Sequence, residues 1–165
     1  GDEVMREFLK IEKEGHILHV TLNRPERRNA LSTPICEGLL ELPALIESDI
    51  NIRCMILTGE GEGFCSGADL KERMELSEEM RWKYVELVDR ALLNVEKIPV
   101  PVIAAINGHA LGGGMELALG CDLRLAVTNA DFGLTETGIG IIPTGSIVRL
   151  LRDGHDGLNS LLTYR

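Results

Sequence analysis

The chain has 165 residues, of which 44% are hydrophobic and 26% charged, and its net charge at pH 7 is −9. This composition predicts a single globular domain over residues 1–165, and no apolar run is long enough to cross a bilayer. The acidic balance opposes binding to a phosphate backbone, so nucleic acid is not an expected partner, and neither is a membrane. The N-terminal residues lack the apolar stretch of a secretory signal.

The cysteines and histidines do not form a metal-binding pattern. The four cysteines have no CxxC pairing and each lies in an apolar setting, which predicts buried, reduced thiols at Cys36, Cys54, Cys65 and Cys121. The four histidines are scattered along the chain, and His109 is the one near the candidate site described below. We therefore expect no metal site.

The N-terminal part of the chain predicts a β-hairpin followed by a polar loop. Residues 8–11 and 16–22 alternate well enough for two strands, with a glycine turn between them. The loop, residues 23–31, is polar and carries three arginines, Arg24, Arg27 and Arg28. Two interpretations of these arginines stay open: solvated surface charge, or an electropositive patch facing the phosphate groups of a ligand.

Two helices are predicted on either side of a short strand at residues 53–58. Ser32-Thr33-Pro34 is typical of a helix start, and Pro43 is expected to kink or interrupt that helix. A second helix begins near Ser77, and its spacing predicts a core face made of Met80, Tyr84, Leu87, Val88, Ala91, Leu92 and Val95. Strands and helices alternate, which favours an α/β domain.

The most informative stretch runs from residue 101 to residue 126. It predicts a strand, a turn with three successive glycines at 112–114, and a helix with Glu116 in its first turn. Glycines allow a close approach to the main chain, and the free amides of a helix start favour a negative ligand or a developing oxyanion. Glu116 is then either a carboxylate that suits the helix dipole or an acid–base group beside an oxyanion hole.

Two further segments carry small or apolar residues around polar ones. Residues 64–70 expose main chain directly after a strand, and Ser66 there is not expected to be a nucleophile because it lacks a G-x-S-x-G elbow and a histidine partner. Glu136 stands alone in the apolar, glycine-rich segment 132–143, either exposed by a turn or with a pKa raised by desolvation. Glu116 and Glu136 form a possible acid–base pair.

Four motifs resemble those of the crotonase superfamily, the enoyl-CoA hydratases and isomerases: LNRPERRNALS at 22–32, FCSGADLKER at 64–73, INGHALGGGMELALGCDLRLA at 106–126 and FGLTETGIGIIP at 132–143. The resemblance implies an α/β fold, a crotonase-like spiral of ββα repeats that here lacks most of the C-terminal helical part. It also implies an acyl-CoA ligand and assembly into homotrimers or hexamers. The KER and LTET segments are similar to the methylglutaconyl-CoA hydratase branch.

The same resemblance implies roles for particular residues. The amides of Ala68 and Gly113 would form the oxyanion hole, and Glu116 and Glu136 would hold the reacting water. The path of coenzyme A would be lined by Arg27, Arg28, Ala30, Ser66, Asp69 and Leu70. Coenzyme A is part of the substrate, so no metal or redox cofactor is expected.

The expected activity is that of an enoyl-CoA hydratase, with syn addition of water across the 2,3 double bond of a 2-enoyl-CoA, in fatty-acid or branched-chain breakdown. The alternatives are an enoyl-CoA isomerase and a non-catalytic, truncated acyl-CoA-binding relative. Acids outnumber bases in the helical stretch after residue 71, which argues against an RNA-binding role.

The resemblance implies a location in the cytoplasm for a bacterial protein and in the mitochondrial matrix for a eukaryotic one. The sequence departs from the family pattern after Pro143, and the resemblance implies a chain that lacks most of the family's C-terminal helical part.

Overall fold

A six-stranded sheet forms the centre of the computed structural model, which describes residues 7–135 and the strand Leu161–Tyr164. Its strands are β1 (Leu9–Glu14), β2 (Ile17–Leu22), β3 (Cys54–Gly59), β4 (Val102–Ile106), β6 (Leu123–Val127) and β8 (Leu161–Tyr164), adjacent in that order. Strands β1 and β2 are antiparallel, and every later pair in this sheet is parallel. A second, small parallel sheet pairs β5 (Ala110–Leu111) with β7 (Phe132–Gly133).

The predicted hairpin is confirmed, with a register that runs from Leu9 opposite Leu22 to Glu14 opposite Ile17. Gly15 turns the chain at φ +59°, a backbone conformation that favours glycine. Because β2 also pairs with β3 in parallel, the polar loop after β2 lies at the end of the sheet from which β3 exits.

Within residues 7–135, four α-helices connect the strands, as the parallel pairing of the sheet requires. They are α1 (Thr33–Glu47), α2 (Leu70–Glu75), α3 (Glu78–Val95) and α4 (Gly113–Leu119), and a short 3-10 helix spans Pro25–Arg27. Among the described residues, no helix combines the length and the apolar character needed to span a membrane.

One continuous apolar core lies between the sheet and the helices. Alternate strand residues enter it, so that Val20, Leu57 and Ala104 stand side by side in one buried row across the sheet. The predicted face of α3 is buried from Tyr84 onward, apart from the half-buried Leu87. Met80 was predicted on this face, and that prediction is wrong: the residue is 44% exposed because it lies in the first turn, ahead of the first core residue.

Helix α1 runs continuously through Pro43, so of the two expected effects, a kink or an interruption, the interruption does not occur. A proline has no N–H, and the carbonyl of Leu39, four residues earlier, therefore loses its helical partner. The side chain of Asn94 on α3 replaces that partner, because its Nδ2 donates to the carbonyls of Leu39 and Leu40 at 3.1 Å each. A contact between two helices thus compensates the proline.

The cysteines are free thiols, as predicted. Cys36, Cys65 and Cys121 are buried, whereas Cys54 is half-buried. Burial raises the pKa of Cys65 and of Cys121 to about 12, so both thiols are neutral near pH 7. The buried cysteines therefore serve to pack the apolar core.

Candidate active site

Two backbone segments meet beyond the ends of the neighbouring strands β3 and β4. The amides of Phe64 and Cys65 both donate to the carbonyl of His109 at 3.1 Å. The amide of Leu111 donates back to the carbonyl of Cys65 at 3.0 Å. Segment 64–69 and segment 109–114 therefore run side by side, as a short parallel pair.

Glycines allow these segments to touch. Gly67 has φ +90°, and a Cβ built on it would lie 3.0 Å from the amide nitrogen of Gly113. A Cβ on Gly113 would lie 3.7 Å from the nitrogen of Ala68, and one on Gly114 would collide with the carbonyl oxygen of Cys65 at 2.1 Å. Side chains at Gly67 or Gly114 would force the backbones apart.

The amides of Ala68 and Gly113, which the sequence predicts as a pair, are brought together here. Among the described residues, neither amide donates to a backbone carbonyl. Gly113 is the first residue of α4, where an amide has no partner inside the helix. Ala68 and Leu31 form a parallel bridge, in which the Leu31 amide donates to the carbonyl of Gly67. In such a bridge the N–H of Ala68 points away from Leu31.

Glu116 lies three residues beyond this pair of amides, in the first turn of α4, and is half-buried. Helix α4 is fixed at both ends. The amide of Gly112, just before it, donates to Gly133 of β7 at 2.7 Å. At the other end, buried Arg124 donates to the carbonyls of Ala118 and Cys121. Glu136, the predicted partner of Glu116, lies outside the described residues.

Two buried or half-buried asparagines position the loops around the site. Asn29 has φ +54°, and its Nδ2 donates to the carbonyls of Glu60 and Gly63 at 2.9 Å each. Asn107 follows β4, and its Nδ2 donates to the carbonyls of Gly59 and Gly61 at 2.9 Å each. Neither side chain was predicted from the sequence to have this role, although asparagine tolerates the left-handed conformation that residue 29 adopts.

The loop with the three arginines, residues 23–31 and here called the arginine loop, lies against segment 64–69. The amide of Ser66 donates to the carbonyl of Arg28 at 3.0 Å, and the Ser66 hydroxyl lies 3.5 Å from the carbonyl of Arg27. Arg27 and Arg28 are exposed, Ala30 is buried and Leu70 is 45% exposed. The predicted ligand-lining residues of the two motifs are therefore neighbours.

A surface pocket of about 320 Å³ opens between this loop and α2. Its charged lining is mixed, with three cations and three acids: Arg24, Arg27, Lys71, Asp69, Glu72 and Glu75. Within residues 7–135, no group of three histidine, cysteine or acidic side chains could hold a metal ion. That no metal takes part stays a prediction.

Asp69 is buried and uses its carboxylate inside the protein. Its Oδ1 accepts from the amides of Lys71 and Glu72, which caps α2, and its Oδ2 accepts from Arg24 at 2.5 Å. Burial by itself would raise the pKa of Asp69, but the bonds from Glu72, Arg24 and Lys71 outweigh it and lower the pKa. Of the three arginines, Arg24 is therefore tied to the protein, and Arg27 and Arg28 present their charge to solvent.

Replacing Asp69 by asparagine should test this ion pair. Asparagine keeps the helix cap and loses the charge, so we expect a loss of about 1 to 3 kcal/mol in the free energy of unfolding at pH 7. Because the folded-state pKa is lowered, the contribution is present above the unfolded-state pKa and is lost as pH falls through the folded-state pKa. The difference between parent and Asp69→Asn should therefore shrink on acidification, in urea unfolding at pH 7 and pH 3.

The matched control is Asp49→Asn, which removes the surface partner of Lys13 on the far side of the hairpin. We expect a much smaller loss there, since exposed pairs contribute little. An Asp69→Asn penalty that is no larger than the Asp49→Asn penalty, or that grows toward low pH, contradicts this role.

Comparison with known proteins agrees with the geometry. The model of the enoyl-CoA hydratase/isomerase family matches residues 12–154. The Bacillus subtilis protein YngF is 52% identical over 142 residues, which are 85% of this chain and 55% of that protein. Human mitochondrial methylglutaconyl-CoA hydratase, from the branch that the KER and LTET segments resemble, is 41% identical over 145 residues, 87% of this chain and 42% of that protein.

The fold comparison gives the same result. The crystal structure of an enoyl-CoA hydratase from Bacillus anthracis superposes with a TM-score of 0.84 at 42% identity, covering 93% of this chain and 62% of that one. The chain spans about half the length of the curated relatives it matches. The predicted crotonase-like α/β fold is confirmed, and the chain belongs to the enoyl-CoA hydratase/isomerase family.

Proposed function

We propose that this chain carries the oxyanion hole and one catalytic acid of a hydratase that adds water, syn, across the 2,3 double bond of a 2-enoyl-CoA thioester. The observation that carries the proposal is that the amides of Ala68 and Gly113 meet at a contact made by glycines, and that neither donates to a backbone carbonyl among the described residues. The family assignment and the hydratase names of relatives support it.

The two amides would act on the charge that forms during the reaction. When water adds to Cβ, negative charge moves to the thioester oxygen and an enolate forms. Fixed amide donors stabilise that charge more than the neutral carbonyl of the substrate, so they lower the barrier. Losing one donor of this kind costs roughly 3 to 4 kcal/mol of activation free energy.

Two carboxylates would handle the protons. In this proposal, Glu116 accepts a proton from the water as its oxygen bonds to Cβ, and Glu136 delivers a proton to Cα. Glu116 follows Gly113 by three residues at the start of a helix fixed at both ends. Glu136 follows Gly133 by three residues in the sequence. The site then needs no cofactor, since coenzyme A belongs to the substrate.

Coenzyme A would bind along the contact between the arginine loop and segment 64–69. Arg27 and Arg28 are exposed on that loop, and guanidinium groups suit phosphates. We propose that Ala30, Ser66 and Leu70 line this path. Asp69, which the resemblance also places there, would contribute by holding the segment through its ion pair with Arg24.

One alternative is a non-catalytic acyl-CoA-binding role, in which the chain would bind the thioester without turning it over. The second alternative is isomerisation, in which one acid moves one proton; the two acids in the sequence favour hydration instead.

We also propose assembly into homotrimers or hexamers. Leu123 and Leu125 project from the same face of β6 and are 50% and 39% exposed. Exposed apolar side chains of this size are often covered by a partner chain.

The proposed location is the cytoplasm of a bacterium or the mitochondrial matrix of a eukaryote, since relatives of both kinds exist.

Turnover of crotonyl-CoA tests the acid–base assignment. We expect the chain to hydrate it, and Glu116→Gln and Glu136→Gln each to lower kcat by about 10²- to 10⁴-fold. The measurement is the loss of enoyl-thioester absorbance. Glu41→Gln, on the exposed side of α1, is the control and should keep the parent rate. Binding without turnover by the parent selects the non-catalytic alternative, and full activity in the glutamine variants overturns the assignment.

The contact between the two segments has its own test in Gly67→Ala. The new Cβ would lie 2.9 Å from the Leu111 carbonyl oxygen and 3.0 Å from the Gly113 nitrogen, so it should push the amides apart. We expect kcat to fall at least about 10²-fold.

Gly15→Ala is the matched control for this substitution. Residue 15 also has positive φ, +59°, but a Cβ there has nothing within 4 Å. It should cost about 1 to 2 kcal/mol of stability and leave kcat unchanged. Equal effects of the two substitutions on kcat would show that strain, not the contact, matters.

A further inference from the structure

We propose that Tyr84 is a positioning residue, whose hydroxyl sets the direction of the Ala68 amide from within the core. The inference rests on the proposed function, because it assigns Tyr84 to the oxyanion hole. Tyr84 lies on α3, sixteen residues from Ala68 along the chain and outside the motifs that carry the family resemblance.

The hydroxyl of Tyr84 stands inside a backbone ladder. Leu31 and Ala68 form a parallel bridge, and the first bond of that bridge is direct, from the Leu31 amide to the Gly67 carbonyl at 2.8 Å. The second bond runs through the phenol: the Asp69 amide donates to the Tyr84 oxygen at 2.7 Å, and the Tyr84 hydroxyl donates to the Leu31 carbonyl at 2.6 Å.

This arrangement fixes both peptide groups of Ala68. The N–H of Ala68 shares a rigid plane with the carbonyl of Gly67, which Leu31 holds. The next peptide plane contains the amide of Asp69, which Tyr84 holds. With both planes fixed, the Ala68 amide points away from Leu31. A Cβ built on Gly113 would lie 3.7 Å from the Ala68 nitrogen, so the two residues are neighbours.

The phenol itself is held by the core. Tyr84 is 3% exposed and is the first residue that α3 buries. Burial raises its pKa, so the hydroxyl keeps the proton that it donates to Leu31. A hydroxyl can donate and accept at once, and no apolar side chain can replace it between a carbonyl and an amide.

The first measurement does not depend on activity. Residual dipolar couplings report the direction of each N–H bond, and we compare them in the ligand-free parent, in Tyr84→Phe and in Val88→Ala. Val88 is the control because it lies one turn along the same buried face and carries no polar group. The coupling of Ala68 should change in Tyr84→Phe while the amides of β4 keep theirs, and Val88→Ala should leave Ala68 unchanged.

The second measurement compares kcat and KM of the same three proteins with crotonyl-CoA. We expect Tyr84→Phe to lower kcat roughly 10- to 100-fold with KM changed less than about two-fold, because the donor acts on charge formed in the transition state. Val88→Ala should keep the parent kcat.

The two readouts separate this inference from the proposed function. An unchanged Ala68 coupling in Tyr84→Phe overturns the inference, and so does an unchanged kcat in a parent that turns over. If the parent hydrates nothing, the proposed function fails, and the coupling alone decides whether Tyr84 directs the Ala68 amide.

Discussion

The close contact between two glycine-bearing backbones determines where everything else at the site lies. Gly67 approaches the amide of Gly113, and Gly114 packs on the carbonyl of Cys65, at distances that leave no room for side chains. Strands β3 and β4 are neighbours in a parallel sheet, so the segments that follow them leave the same edge together. The core packs behind this edge, and the contact needs the rigidity that such packing provides.

Polar contacts rather than apolar burial hold the segment that follows Ala68. Helix α2 has no buried residue, and Leu70 and Met74 are 45% and 71% exposed. Asp69 caps the start of α2 and pairs with Arg24. Arg81 of α3 donates to the carbonyl of Arg73 in the last turn of α2 and to that of Leu76, just after it. The position of α2 therefore depends on charged and directional bonds.

The same helix also supports its neighbour. The carboxylate of Glu72 accepts the amide and the hydroxyl of Thr33, at the start of α1. Asp69 and Glu72 thus link α2 to the arginine loop and to α1. This explains how a pocket between them can carry three cations and three acids without an excess of either sign.

The sequence predicted the elements that depend on local patterns. The hairpin, the start of α1 near Pro34 and the strand–glycine–helix unit that contains Glu116 follow from alternation, proline and glycine, which act over a few residues. The predicted cap at Ser32 is wrong, because its side chain makes no capping hydrogen bond. The motifs also predicted that Ala68 and Gly113 would come together, and the structure places them side by side.

The rest depends on contacts between residues far apart in the sequence. Pro43 does not break α1 because Asn94 supplies a donor from another helix. Asp69 is paired with Arg24, 45 residues away, and Tyr84 reaches Leu31 across 53 residues. No local pattern contains such pairings, and a core face predicted from spacing alone also included the exposed Met80.

The most direct test of the proposed oxyanion hole is the infrared spectrum of a bound thioester. Butyryl-CoA labelled with ¹³C at the thioester carbonyl cannot be hydrated, so isotope-edited difference spectra report its carbonyl at equilibrium. Two amide donors should polarise that carbonyl and move its stretching band to a lower wavenumber than for the free ligand in water. A bound ligand whose band stays at the free position, or moves higher, would contradict the claim that these amides face the thioester oxygen.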